Sequence, residues 1–374
     1  MKFFYVALLL YAFSSSAYSQ QRQSDISQEL TRKLATYVDS MRLKHSGAGI
    51  LVHVYKPGVI DWNYANGLAD IDSLIPAKPD MHYRIASISK LFCATAVLKL
   101  ASAGSLTLDD PISKWLPSKF ISKIANGDKI TIRNLLNHTS GIYELQGSEI
   151  DPLNDSTDYS MVLPELIAGM KQTAGYSNFF YSSSNYILLA EIIKKASKMS
   201  YGDYIRSAIL EPFNLSHTYV ATLPVKNRFK GYIPSLYLKK YADTVKVSLI
   251  DASDFNMSFH LGSADISSST SDLIKFYYEL HEGKIIPKNL VNEMFGETVA
   301  SNRPSKRYGL GTMLFEHNGL TVVHGHIGQA AGYKNILAKN QLTNTYIAIS
   351  FNLFHISDEI LLETMFGLND IMEE

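Results

Sequence analysis

A serine one helical turn ahead of a lysine, Ser87 and Lys90 in "RIASISKLFCATAVLKLASAG", stands at the head of a long apolar run. At that spacing the two side chains share one helix face and can touch. A serine hydroxyl is a poor nucleophile near neutral pH, and a lysine becomes an adequate base for it when desolvation lowers its pKa. The start of a helix also offers unpaired backbone N–H groups and the positive end of the helix dipole. The Ser87 N–H is thereby placed to hold the oxyanion of a tetrahedral intermediate. The competing reading makes Ser87 a helix cap and Lys90 a solvated charge, and a Ser-x-x-Lys spacing alone does not decide between them.

The remaining reactive residue types are sparse. His324-Gly325-His326 sets two histidines on one strand face, as zinc would require, but no matching third and fourth ligands cluster in the sequence. No metal and no organic cofactor is expected. His324 is assigned to packing, His138 in "LLNHTSG" to a structural place beneath a helical lobe, and Asp109 and Asp110 to a loop and helix start. Cys93, the single cysteine, falls on the apolar helix and reads as a small buried core residue with no internal disulfide.

The elements that must position Ser87 are legible around it. An amphipathic helix is expected from Ser27 to Arg42, then a strand in "GAGILVHVYKPG" closed by Pro57-Gly58, and a second strand from Trp62 to Gly67. Gly104 stops the Ser87 helix. "TIRNLLNHTSG", "SNYILLAEIIKKAS" and "TSDLIKFYYELHEG" make the middle of the chain mostly helical. Near the end, "LGTMLFEHNGLTVVHGH" is two alternating runs joined by Asn318-Gly319, a strong hairpin signal, followed by a strand in "NTYIAISFN" and a closing helix in "DEILLETMFGLNDIM". Strands at both ends enclosing a helical middle imply an α+β fold: an antiparallel sheet assembled from both chain ends, flanked by helices, with a mostly helical lobe inserted.

Composition narrows the partners. The 374 residues are 46% hydrophobic and 19% charged, enough for one large core, and 35 basic residues balance 35 acidic ones. Nothing in that balance favours nucleic acid, so a small substrate is the better expectation. "MKFFYVALLLYAFSSSAYSQ" carries a lysine, an apolar stretch and small residues before a cleavage point. Residues 1–19 read as a signal peptide, which implies a secreted or periplasmic protein. The apolar stretch is shorter than the roughly 20 residues that span a bilayer, so no integral membrane segment is expected after signal removal.

Several motifs in order then carry a family resemblance. "HYRIASISKLFCATAVLKLASAGSLTLDDPISKWLP", "ITIRNLLNHTSGI", "FFYSSSNYILLAEII", "ILEPFNLSHT", "SADISSSTSDLIKF", "RYGLG" and "HGHIGQAAGY" together resemble the serine β-lactamase and penicillin-binding D,D-peptidase superfamily, in its class C β-lactamase-like branch. The likeness implies a β-lactamase/transpeptidase-like fold in residues 20–374. Its α/β lobe would be built from about 20–100 and 300–374, and its helical lobe from about 101–299.

It implies Ser87 as the acylated nucleophile, Lys90 as its proton partner and Tyr181 as general base or proton shuttle, a role open to a phenol of pKa ~10 beside positive charge. Tyr176-Ser177-Asn178 also spells Tyr-x-Asn, but it lacks the helix directly behind it that follows Tyr181. Ser183 stands where the family has asparagine, a shorter side chain with one hydroxyl at a substrate-binding position, and Asn185 is not assigned the missing role. His326-Ile327-Gly328 stands where β-lactamases of this branch have Lys-Thr-Gly. His326 is thus an expected substrate contact, Gly328 a point of close substrate approach, and the Gln329 N–H the second oxyanion donor beside that of Ser87.

The resemblance implies an exported serine hydrolase acting on a small peptide, ester or β-lactam through an acyl-enzyme. A D-alanyl-D-alanine carboxypeptidase-like activity ranks first, then an esterase, then a β-lactamase. A non-catalytic ligand-binding or regulatory module on the same fold is the alternative that the departures at Ser183 and His326 motivate.

Overall fold

The computed structural model describes residues 28–45, 49–144, 176–237, 248–302, 305, 307–317 and 319–374. The expected signal peptide lies outside the described residues, as do Ser27 and Asn318. After a helix over 28–44, the chain lays down β1 (Gly49–Lys56), β2 (Ile60–Asp70) and β3 (Ile75–Pro76). Five short strands belong to the middle: β4 (Tyr83–Arg84), β5 (Tyr219–Val220), β6 (Tyr232–Pro234), β7 (Leu249–Asp251) and β8 (Ile266–Ser268). The last part supplies β9 (Val299–Ala300), β10 (Arg307–Tyr308), β11 (Met313–His317), β12 (Leu320–Ala330), β13 (Tyr333–Asn340) and β14 (Thr345–Phe351).

The main sheet runs β3-β2-β1-β14-β13-β12-β11-β10-β9. The two chain ends meet at its centre, where β1 pairs antiparallel with β14 and Ile50 stands opposite Phe351. Alternation along β1 explains why this strand is central. Ile50, Val52 and Val54 join one apolar cluster with Leu34 and Val38 of the first helix and Leu361, Met365 and Leu368 of the helix Asp358–Ile371. Leu51 points the other way, into the larger cluster that holds Leu91, Phe92 and Val97. A strand buried on both faces is thus sandwiched between two helical layers.

The helix Ser89–Ser102 is buried from Ser89 to Leu98 without a break. A helix apolar all round belongs in a core. One side packs on the helix Ser183–Ser197; on another, Phe92 stacks on Phe276 of the helix Thr270–His281 with ring centroids 3.8 Å apart. That last helix lies directly on β1 and β14, a layer of the sheet although its sequence falls in the segment assigned to the helical lobe. Among the described residues, the middle of the chain also contains short strands that its periodicity does not suggest. β4, β8 and β5 form a small sheet of their own, and β6 pairs with β7.

Candidate functional site

Ser87 sits in a single 3-10 turn, Ala86–Ile88, and the α-helix begins two residues later at Ser89. No side-chain capping bond is made at the head of either element, which removes the reading of Ser87 as a cap. Ala86 adopts φ +51°, the left-handed region that L-residues avoid, at a cost on the order of 1 kcal/mol. The strained turn projects the Ser87 side chain into a cleft of about 300 Å³ between the sheet and the helices.

Lys90 is fully buried beneath Ser87. Its ammonium donates to Ser87 Oγ at 3.1 Å, to Ser183 Oγ at 3.3 Å and to the Ser263 carbonyl at 3.1 Å, which uses all three of its hydrogens. The same nitrogen lies 5.0 Å from the centre of the Tyr181 ring and 5.5 Å from that of Tyr186. Ser183, the first residue of its helix, therefore reaches the lysine despite its short side chain. Asn185 does not take that place: its amide oxygen accepts from Ser140 Oγ at 2.6 Å, and its amide nitrogen lies 3.1 Å from His138 Nδ1.

Tyr181 lines the cleft, and His138 helps to set its position. The His138 ring lies 4.3 Å from the Tyr181 ring, and its Nδ1 accepts the backbone N–H of Ser182 at 3.2 Å. With two donors directed at Nδ1, the imidazole proton belongs on Nε2. The histidine is buried at φ +61° and organises the start of the Ser183–Ser197 helix.

On the strand side, β11 pairs with β12 only as far as Gly325, and the turn bearing Ser87 packs along the remainder. Gln329 lines the cleft from that stretch. His326 does not. Its ring is fully buried beside the cleft, 6.2 Å from the Tyr181 ring, with Nε2 3.0 Å from Tyr308 Oη and Nδ1 2.6 Å from the Ile327 carbonyl. Gly328 permits a close approach within the protein itself. A Cβ there would lie 2.3 Å from the Ile85 carbonyl oxygen, so the missing side chain admits the protein's own Ile85–Ala86 backbone.

Four lining residues carried no local signal in the sequence: Glu144, His260, Lys334 and Asp358. The Glu144 carboxylate accepts the Ser183 N–H; burial pushes its pKa up, opposed by the Lys90 charge and by hydrogen bonds from Ser183 and Ser182. Burial, together with the Lys90 and Arg84 charges, lowers His260 to about 3, so this imidazole is neutral. Lys334 pairs with Asp358 and donates to Gln329 Oε1 at 3.0 Å. These residues come from distant parts of the chain and only the fold brings them together.

Residues 29–364 match the family model described as Beta-lactamase. The chain is 26% identical over 330 residues to "Penicillin-binding protein 4*" of Bacillus subtilis, covering 83% of this chain and 69% of that one. It spans between 34 and 45% of the length of several further curated relatives. Among solved structures, a D-amino acid amidase from Ochrobactrum anthropi SV3, in complex with L-phenylalanine amide, superposes with TM-score 0.81 at 23% identity, over 91% of this chain and 99% of the other. A D-stereospecific amidohydrolase from Streptomyces sp. superposes with TM-score 0.71 at 26% identity, over 87% and 96%.

Proposed function

The chain belongs to the β-lactamase family of serine hydrolases, and from that premise we propose that it cleaves the amide bond of a small D-amino-acid derivative carrying a free ammonium. Once the Lys90 ammonium has given up a proton to solvent, its free amine takes the Ser87 proton as Ser87 Oγ attacks the carbonyl, and the Ser87 and Gln329 N–H groups hold the oxyanion. Tyr181 gives its phenol proton to the leaving amine as the C–N bond breaks and is reprotonated by Lys90, which restores the free amine. Water then hydrolyses the ester on Ser87 and regenerates the hydroxyl.

The observation that carries the substrate reading is Glu144. A half-buried carboxyl that lines the cleft and receives the Ser183 N–H suits a substrate ammonium, because an ion pair relieves the cost of partly desolvating the acid. The similarity to a D-stereospecific amidohydrolase supports the same class. A D-alanyl-D-alanine carboxypeptidase remains the second reading, and Lys334 favours it as the lining cation nearest in kind to what a terminal carboxylate needs, although Asp358 already holds it.

The test compares a D-amino acid amide, its N-acetylated form and a peptide ending in D-Ala-D-Ala. The free amide is expected to react fastest. Glu144→Gln should raise its KM about tenfold, the worth of one charge-assisted hydrogen bond, and leave the acetylated substrate unmoved. Preference for the acetylated amide, or an unaltered KM, discards the ammonium reading, and fast turnover of the peptide installs the second one.

Export is part of the same proposal. The mass of protein recovered from an expressing bacterium should begin at Gln20, after loss of residues 1–19, and a retained leader speaks against it.

A further inference from the structure

Asp265 is a fully buried carboxyl that the reaction scheme above does not use. It lies behind the lysine, at the end of a turn wedged between the helices Ser89–Ser102 and Ser183–Ser197. Gly262 makes that turn at φ +74°, where a Cβ would stand 2.6 Å from the Tyr186 carbonyl oxygen. Asp265 Oδ1 accepts the Gly262 N–H at 3.1 Å, closing the turn on itself. The backbone on either side of the carboxyl is tied down too. The Asp265 carbonyl accepts the Ala221 N–H at 2.8 Å, and the Ile266 N–H donates to Ser89 Oγ at 3.1 Å. Between Gly262 and Asp265 sits Ser263, whose carbonyl receives the Lys90 ammonium.

We propose that Asp265 is a positioning residue for acylation: it fixes the Ser263 carbonyl on Lys90 and, when ionised, stabilises the positive charge that Lys90 gains as it takes the Ser87 proton. The logic is that of a nucleophile, its base and a third group that orients the base. Here the third group acts through a backbone carbonyl and through its charge.

Three side chains on neighbouring elements face this carboxyl. Lys90 and Cys93 come from the helix Ser89–Ser102, and Tyr201 comes from the helix Tyr201–Ile205; His260, on the same turn, faces Lys90 and is neutral. Lys90 is thus the one cation among them. Asp265 Oδ2 has no hydrogen-bond partner among the described residues, which leaves the carboxyl poorly solvated by the protein. Burial accordingly raises its pKa to about 7, against the backbone N–H groups of Asp265 and Gly262 and the charge of Lys90. The acid therefore changes charge within the range where the enzyme is assayed.

The experiment measures the rate at which a fluorophosphonate phosphonylates Ser87, an O–P bond forming as fluoride leaves and the hydroxyl proton passes to Lys90, from pH 5.5 to 8.5, in the full chain and in Asp265→Asn. It reads the reactivity of Ser87 and needs no natural substrate, so it succeeds or fails independently of the substrate proposed above. Asparagine keeps an oxygen for the Gly262 N–H and removes only the charge. The variant should be phosphonylated about tenfold slower at pH 8 and nearly as fast as the parent at pH 5.5, with the ratio opening through neutrality. A ratio constant with pH is what a purely structural role gives, and it overturns the proposal. If Asp265→Asn does not fold, the parent alone decides: a profile without a rise between pH 6 and 8 also overturns it.

Discussion

Alanine in place of Ser87 is expected to lower hydrolysis of an activated ester by at least about 10³-fold while the protein stays folded. The fold is indifferent to the hydroxyl for three reasons. Ser87 does not cap its helix; its side chain opens onto the cleft; and Lys90, on losing it, retains Ser183 Oγ and the Ser263 carbonyl. The loss of one neutral partner among three costs about 1 kcal/mol or less, and water in the cleft can replace it. Intact mass after exposure to benzylpenicillin makes the test covalent. An adduct on the parent and none on the variant identifies the nucleophile, whichever substrate is natural. An undiminished ester rate in Ser87→Ala rejects the acyl-enzyme scheme, and an inert parent that no serine-directed probe labels favours the ligand-binding module instead.

The legible parts of this structure are those written in local pattern. Alternation in "GILVHVYK" marked β1, and the run behind Ser87 marked a helix apolar on every side. Ser87 and Lys90 were visible because three residues on a helix bring side chains together whatever the fold. The turn that aims Ser87 was not visible, because Ala86 adopts its positive φ for reasons of tertiary packing and alanine gives no sign of it. His326 shows the opposite limit. Its motif placed it on the correct strand, yet side chains alternate along a strand, and the rings of Tyr308 and Tyr181 around it decide that it is buried. Glu144, Lys334 and Asp358 reach the cleft from segments separated by roughly 190 and 24 residues, a juxtaposition that no spacing rule encodes.

Lys90→Met should cost activity about 10³-fold while the unfolding free energy changes by less than about 2 kcal/mol. Methionine nearly reproduces the volume and reach of the lysine stem, and the site is closed on most sides by Tyr181, Tyr186 and the core of the helix Ser89–Ser102. Taking an ammonium out of water is expensive, so its removal offsets the hydrogen bonds that go with it. Of the groups it leaves, Ser87 and Ser183 face the cleft and can turn to water. The Ser263 carbonyl is the one left short, at about 1–3 kcal/mol. A lysine kept for stability would show the reverse pattern, with melting temperature and activity falling together. Thermal unfolding measured beside single-turnover acylation separates the two, and a variant that still acylates at the parental rate removes Lys90 from the chemistry. Retained stability with lost acylation means that the protein holds this charge in its core for the sake of Ser87.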